Sequence, residues 1–168
     1  MQNSRDEVDL IVEAWQSQRP DLDVAPLAVL SRVSRLAVHL DRARAEAFEA
    51  HDLESWEFDV LAALRRAGSP YCLSPSDLMR ITMVTSGTMT NRIDRLSKAR
   101  LVTRQPDPAD GRGVLVQLTA EGLTRVDAAF EDLLEREHSL LKNLPHAETL
   151  VLAELLKTLI VPFGEATN

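Results

Sequence analysis

Apolar residues in the first part of the chain recur at steps of three and four, which is the spacing of an amphipathic helix. The longest such run covers residues 26–50 and starts on a proline, which loses no hydrogen bond in the first turn of a helix. A shorter run over 8–17 and another over 53–67, with Trp56 on its apolar stripe, are each followed by Pro or Gly. The pattern therefore predicts three helices in this part of the chain.

The next segment contains two short helices separated by a turn. Ser74 precedes Pro75, and Asp77 follows three residues after the serine, which is close to the capping box that begins a helix. This helix runs to about Ile81, and a second one, rich in Thr, Asn and Arg, covers about 85–99. Two helices this close together are typical of a helix-turn-helix.

The spacing of apolar residues changes after this second helix. Residues 101–105 and 114–118 alternate as in a β-strand, and the segment 106–113 between them is dense in Pro, Asp and Gly. The pattern predicts a two-stranded hairpin with a long loop that carries Arg112. We interpret this hairpin as a wing beside the helix-turn-helix.

Two further apolar helices are predicted at the end of the chain. Thr119 caps a helix of about 23 residues, which is broken at 143–145, and a last helix follows. Both are too apolar to stand alone in water, and the simplest way to bury them is against the same helices of a second copy in a two-fold dimer. Packing back onto their own domain is the alternative. The apolar positions are Leu123, Val126, Phe130, Leu133, Leu140 and Leu144 in the first helix, and Val151, Leu152, Leu155, Leu156, Leu159 and Ile160 in the second.

Composition places the chain among folded globular proteins. Of its 168 residues, 45% are hydrophobic and 27% are charged, which is enough to fill a core and argues against disorder. The single cysteine, Cys72, excludes an internal disulfide framework and fits a reducing compartment. The N-terminus shows no signal peptide, and no stretch approaches the ~18 apolar residues of a membrane span. We therefore expect a cytoplasmic protein with no membrane partner.

Charge is distributed unevenly along the chain. The net charge is -7, which argues against indiscriminate binding of nucleic acid. Residues 85–113 are the exception, because they hold six Lys and Arg against three Asp and Glu and so carry +3. An anionic partner is therefore expected at this central segment, although a solvated surface face is the plain alternative.

Three stretches resemble the MarR family of winged-helix transcription regulators. They are Leu73-Ser-Pro-Ser-Asp-Leu78, Val84-Thr-Ser-Gly-Thr-Met-Thr-Asn-Arg-Ile-Asp-Arg-Leu96, and Asp107-Pro-Ala-Asp-Gly-Arg112 leading to Thr119. The resemblance covers almost the whole chain, and Asp110 with Arg112 in the wing is a strong signal when it follows a helix-turn-helix. One departure is Arg100, which stands where the family usually has a glycine that ends the helix.

The resemblance implies a mostly α-helical fold with a small β-hairpin wing, in which a winged helix-turn-helix lies between N-terminal and C-terminal dimerisation helices. We assign residues 1–52 to N-terminal helices on the dimerisation and ligand side, residues 53–119 to the winged helix-turn-helix DNA-binding region, and residues 120–168 to the C-terminal dimerisation helices, all in one compact domain. The implied function is that of a homodimeric repressor, which binds a palindromic operator in double-stranded DNA.

The second helix of the predicted helix-turn-helix has the side chains that a major-groove helix needs. Short polar groups come early in it, cations lie along its flank, and Gly87 allows close approach. The wing arginine suits the narrow minor groove of A·T tracts. Thr88 and Met89 are the positions that alternatively face the core. The predicted DNA-contacting residues are Thr85, Ser86, Thr90, Asn91, Arg95, Lys98 and Arg112.

One branch of the family responds to urate, and the chain is similar to it at four positions. The resemblance implies an effector site made of Trp15, Asp59, Arg92 and Arg104. In such a site the indole stacks on a flat ring, arginine pairs with a delocalised anion, and aspartate accepts ring N–H groups. The expected effector is a small anionic aromatic such as urate or a phenolic acid. Alternatively, Trp15 packs in the dimer, Asp59 pairs with one of the arginines, or the arginines contact phosphate.

Other functions have less support in the sequence. No glycine-rich phosphate loop, zinc-protease motif or nucleophile with its base is present, so no enzyme is expected. No metal and no cofactor is expected, because the four histidines show no paired spacing. A redox role for Cys72 would need an exposed, reactive thiolate. The alternative function is a winged-helix protein-interaction module without DNA binding.

Overall fold

The computed structural model describes residues 5–108 and 113–164, and the chain divides into two compact units, residues 1–46 and 47–168. The helices and strands of the described residues are α1 (Glu7–Gln18), α2 (Ala25–Glu49), α3 (Ser55–Arg66), β1 (Cys72–Leu73), α4 (Pro75–Thr82), α5 (Ser86–Lys98), β2 (Val102–Pro106), β3 (Val114–Leu118), α6 (Ala120–Leu141) and α7 (His146–Gly164). This mostly helical architecture with a small antiparallel sheet confirms the predicted fold class.

In the first unit, α1 begins at a charged cap. The Asp6 carboxylate accepts hydrogen bonds from the backbone N–H groups of Val8 and Asp9 at 2.9 and 3.0 Å, which satisfies donors at the start of the helix. Arg32 of α2 donates to both aspartates, so its guanidinium ties the first turn of α1 to α2. The hydrogen bond from Arg32 also lowers the pKa of Asp6 below its usual range.

The core of the second unit is built by the last turn of α2, helices α3 to α6 and the sheet. Phe48 stacks on Phe58 with the ring centroids 4.1 Å apart, and α3 packs against α6. The largest fully buried side chains of this unit include Leu61, Leu64, Leu78, Met89, Ile93, Leu96, Leu101 and Val116. Because both helices of the helix-turn-helix contribute to this set, apolar burial holds that motif on its scaffold.

The two helices of the predicted helix-turn-helix begin and end close to where the sequence predicts. The Ser74 hydroxyl accepts a hydrogen bond from the Asp77 N–H at 3.1 Å, and α4 begins at the next residue. The turn after α4 passes through Met83, which has a φ of 52° and so lies in the left-handed region. Thr85 then caps α5 by accepting a hydrogen bond from the Thr88 N–H at 3.5 Å. Short-range caps therefore set the start of both helices.

The sheet has one strand more than the predicted hairpin. β2 and β3 pair antiparallel as the predicted hairpin, and Arg104 lies opposite Val116. β1 pairs with the other edge of β3, with Cys72 opposite Gln117, so the strand order is β1-β3-β2. Two residues are too few to show an alternating pattern, which is why the sequence does not predict β1. The wing residue Arg112 lies outside the described residues.

Two positions meet unusual steric demands where α5 leads into β2 and where β3 leads into α6. Arg100 has a φ of 61°, the left-handed conformation that favours glycine at the end of a helix. The Leu101 N–H donates to the Leu96 carbonyl oxygen at 3.0 Å, which closes the end of α5. At Gly122, an added Cβ would lie 2.1 Å from the Leu101 carbonyl oxygen. The first turn of α6 therefore packs directly against backbone.

One face of helix α6 is buried in the core of its own unit, and another face is exposed. Val126, Ala129 and Leu133 are buried in that core, whereas Phe130 and Leu140 are 49% and 41% exposed. The prediction that the apolar residues of this helix form one seam against a second copy is therefore wrong for Val126 and Leu133. The reason is that α3 packs on the face of α6 that carries them.

Helix α7 keeps most of its apolar side chains exposed. Leu155, Leu159 and Ile160 are 60%, 50% and 67% exposed, so they are not buried in the core of the second unit. In the structure these side chains therefore do not pack back onto their own domain, which was the alternative to a dimer. Among residues 5–108 and 113–164, no helix combines the length and the apolar character needed to cross a membrane.

Candidate nucleic-acid interface

Helix α5 has one apolar face and one polar face. Met89, Ile93 and Leu96 are buried in the core, and they recur at steps of four and three. The opposite face of the helix therefore points away from the core. On that face and at its edges, the predicted DNA-contacting residues within the described part of the chain are all exposed: Thr85, Ser86, Thr90, Asn91, Arg95 and Lys98.

Hydroxyl groups on this face also make hydrogen bonds within the helix. The Thr85 and Thr88 hydroxyl oxygens lie 3.0 Å apart, and the Thr90 hydroxyl donates to a carbonyl oxygen one turn earlier at 3.0 Å. Thr88 is exposed, so of the two residues considered for the core side only Met89 faces the core. At Gly87, nothing lies within 4 Å of an added Cβ. The surface over Gly87 is therefore open to a large partner.

Carboxylates hold two of the cations near this surface. Nη2 of Arg104 on β2 donates to Oδ1 of Asp94 on α5 at 2.6 Å. Nη2 of Arg95 donates to Oε1 of Glu54, the residue before α3. All four side chains are largely exposed, and ion pairs between exposed side chains contribute little to folding stability. These pairs therefore orient the arginines more than they stabilise the fold.

Trp56 connects α3 to the exposed surface of α5. Its Nε1 donates to Oε2 of Glu54 at 2.6 Å, and the guanidinium groups of Arg95 and Arg92 lie 4.7 and 5.4 Å from the centroid of its ring. The hydrogen bonds from Trp56 and Arg95 lower the pKa of Glu54, so this group is a carboxylate at neutral pH. These side chains line an open groove of about 540 Å³. In the sequence, Trp56 falls on the apolar stripe of its helix, and no pattern there indicates that Glu54 pairs with Arg95.

The chain is similar to known transcriptional regulators over most of its length. The family model described as "MarR family" matches residues 51–113, from the loop before α3 to the wing. The HTH-type transcriptional regulator PecS of Dickeya dadantii is 40% identical over 150 residues, which cover 89% of this chain and 90% of PecS. The chain belongs to the MarR family.

Solved structures of MarR from Escherichia coli share the fold of this MarR-family chain. Wild-type MarR in its apo form matches with a TM-score of 0.67 and 31% identity, covering 83% of this chain and 99% of MarR. A mutant MarR in complex with operator DNA matches with a TM-score of 0.65 and 31% identity, covering 82% and 95%. The predicted winged helix-turn-helix is confirmed, with α4 and α5 as its helices and β2 and β3 as its wing. Because the relatives are named regulators, the prediction that this chain is not an enzyme is also confirmed.

The four predicted effector-site residues of this MarR-family chain are divided between the two units. Trp15 lies on α1 in the first unit and is 50% exposed, and the other three lie on α3, α5 and β2 of the second unit. Asp59 is exposed, Arg92 is half-buried with its guanidinium near the Trp56 ring, and Arg104 is paired with a carboxylate of α5. The combination of these residues into one site stays a prediction.

Proposed function

We propose that this chain is a homodimeric, sequence-specific repressor that binds a palindromic operator in double-stranded DNA, and that a small anionic aromatic effector releases it. The observation that carries the proposal is the exposed polar face of α5, which Met89, Ile93 and Leu96 hold outward by anchoring the other face in the core. The coarser function, transcriptional regulation, follows from membership of the MarR family, one of whose members forms a complex with operator DNA.

The exposed face of α5 has the chemistry of a major-groove helix. Asn91 carries an amide that matches the neighbouring donor and acceptor of adenine, and Arg95 and Lys98 suit guanine or phosphate oxygens. Gly87 carries no side chain, so the DNA is able to approach the backbone at that turn. The positive charge of residues 85–113 favours the approach of the phosphate backbone.

The homodimer is supported by apolar side chains that a single chain leaves in water. Leu155 and Leu159 of α7 and Phe130 and Leu140 of α6 are each about half exposed. Burying these faces against a second copy removes their apolar surface from water. A two-fold dimer also presents two copies of α5 to half-sites ~34–36 Å apart, so the operator is expected to be palindromic.

A gel-shift measurement tests the proposed function, using the purified protein and the DNA upstream of its own gene, with and without urate. We expect a specific shift that weakens steeply as salt rises, because Lys and Arg displace counterions from the phosphates. A shift that urate reverses supports both the operator and the effector. If urate leaves the shift unchanged, the DNA-binding part of the proposal stands and urate is excluded as the effector. No shift at low salt favours the alternative, a winged-helix module that binds protein.

We expect the substitution Gly87→Ala to separate stability from DNA binding. Nothing lies within 4 Å of the added Cβ, so the substitution causes no clash. Alanine is less flexible than glycine in the unfolded chain, and the free energy of unfolding is therefore expected to rise by roughly 0.5–1 kcal/mol. The same methyl group stands between the α5 backbone and the DNA, so the Kd for the operator rises by about tenfold or more. Thermal unfolding and gel shifts measure the two effects. An unchanged Kd would mean that DNA does not approach α5 at Gly87.

The effector part of the proposal assigns Trp15, Asp59, Arg92 and Arg104 to one site for urate or a phenolic acid. The tryptophan stacks on the ring, the arginines pair with the anion, and the aspartate accepts ring N–H groups. Arg92 supplies the link to DNA, because it lies on α5 itself. An effector that binds Arg92 shifts α5, and by thermodynamic linkage operator DNA then weakens effector binding by the same factor.

We expect urate at micromolar concentrations to quench the fluorescence of Trp15. The chain has two tryptophans, so Trp56→Phe isolates Trp15 and Trp15→Phe isolates Trp56. Saturable quenching is expected in the wild type and in Trp56→Phe, with a much smaller change in Trp15→Phe. Free tryptophan serves to correct for the light that urate absorbs. If neither urate nor salicylate gives saturable quenching up to its solubility, the effector site is withdrawn.

A further inference from the structure

Glu54 joins two side chains that belong to different helices. Its two carboxylate oxygens accept hydrogen bonds from Arg95 on α5 and from the indole N–H of Trp56 on α3. Arg95 and Arg92 both keep their guanidinium groups within cation–π distance of the Trp56 ring. The carboxylate therefore lies directly against a cation of the exposed α5 surface.

This arrangement changes the charge of the surface that faces DNA. Counted along the sequence, residues 85–113 carry +3, but Glu54 lies outside that segment and neutralises Arg95 in space. Asp94, which pairs with Arg104, is already included in that count. The electrostatic attraction between free α5 and DNA is therefore weaker than the sequence count indicates.

We propose that Glu54 competes with DNA phosphate for Arg95: it holds the guanidinium in the free protein, and Arg95 transfers from the carboxylate to the DNA when α5 docks. Glu54 thereby lowers the affinity for DNA. This inference rests on the proposed function, since it takes α5 to be the helix that faces DNA.

The pair is suited to such an exchange because it is exposed. The Arg95 and Glu54 side chains are 49% and 56% exposed, and an ion pair in that environment is weak and easily broken. The Trp56 ring keeps the guanidinium near the surface while its hydrogen-bond partner changes, which limits the loss of side-chain freedom on docking. Duplex DNA offers a dense row of phosphates as the competing acceptor.

The substitution Glu54→Gln in the full chain tests this inference. We expect operator DNA to bind about three-fold more tightly than to the wild type at low salt, and the gain to shrink as salt screens the pair. The protein is also expected to elute from immobilised heparin, a polyanion, at higher salt. Glu131→Gln is the matched control, because it removes the same charge from an exposed position on α6. It should leave both measurements close to those of the wild type.

An Arg95→Gln background shows whether the effect passes through Arg95. Under our proposal, adding Glu54→Gln to Arg95→Gln gives no further gain in affinity. A gain of the same size in that background would mean that Glu54 repels the phosphates directly, which overturns the proposal. Weaker binding by Glu54→Gln alone would also overturn it, because Glu54 would then be positioning Arg95 for the DNA.

Trp56 reports the exchange independently of operator recognition. In a Trp15→Phe background, its emission is expected to change when DNA or a heparin oligosaccharide removes Arg95 from Glu54. If neither polyanion changes the Trp56 emission, Arg95 does not transfer from Glu54, and the proposal is wrong. If the wild type binds heparin but no operator DNA, the proposed function fails, and the heparin comparison of Glu54→Gln with Glu131→Gln still decides whether Glu54 restrains Arg95.

Discussion

Gly122→Ala is expected to destabilise the protein by about 3 kcal/mol, the upper part of the range for overpacking. The added Cβ would lie 2.1 Å from the Leu101 carbonyl oxygen and 3.0 Å from the carbonyl carbon. This carbonyl is fixed, because it accepts a hydrogen bond from the Thr119 N–H at 3.1 Å while the Leu101 side chain is buried. Relief of the clash therefore has to shift α6 or break the hydrogen bonds at its first turn.

Thermal and chemical unfolding measure this loss of stability. For a chain of this length, the expected decrease in Tm is roughly 6–12 °C. Gly87→Ala is the matched control, because the same chemical change at an open helix position is expected to have the opposite sign. If Gly122→Ala unfolds within 0.5 kcal/mol of the wild type, the contact between α6 and the Leu101 backbone is looser than the structure has it.

Leu159→Glu is expected to convert the proposed dimer into monomers and to weaken operator binding by at least about 100-fold. Leu159 is 50% exposed in the single chain, so a glutamate there costs the fold little. In the proposed dimer the same position is covered by the second copy, and burying an unpaired carboxylate is strongly unfavourable. A monomer then contacts one half-site and loses the second set of DNA contacts.

Light scattering and gel shifts measure the two effects of Leu159→Glu. The control is Lys157→Gln, which lowers the net charge by the same one unit at an exposed position on the other side of α7, where Lys157 pairs with Glu154. Lys157→Gln should remain a dimer and bind the operator. A Leu159→Glu variant that stays dimeric would show that α7 does not form the dimer interface around this residue. A monomer with unchanged operator affinity would mean that dimerisation does not contribute to DNA binding.

The elements that the sequence predicts well are those defined by neighbours along the chain. Ser74, Thr85 and Thr119 each cap a helix by accepting a hydrogen bond from a backbone N–H three residues later. Such a cap is a local interaction, so its spacing is visible in the sequence. The apolar repeat of α5 is local in the same sense, and it shows which face of the helix is left for a partner.

The features that the sequence does not predict depend on partners far away along the chain. β1 is a strand only because β3 offers it an edge, with Leu73 opposite Val116. Val126 of α6 joins the core instead of a dimer seam, because α3 lies on that side of the helix. An apolar repeat shows that a face is buried, but it does not show by what.

The sequence by itself determined the order of the helices and of the two hairpin strands, the helix-turn-helix with its wing and the polar face of α5, because caps and periodic spacing act over a few residues. Tertiary structure alone decided that Glu54 and Trp56 meet Arg95 and that Asp94 meets Arg104. Side chains that are distant in sequence are brought within a few ångströms by the packing of whole elements. Their charges then combine in space, and the electrostatics of the α5 surface follow from that packing.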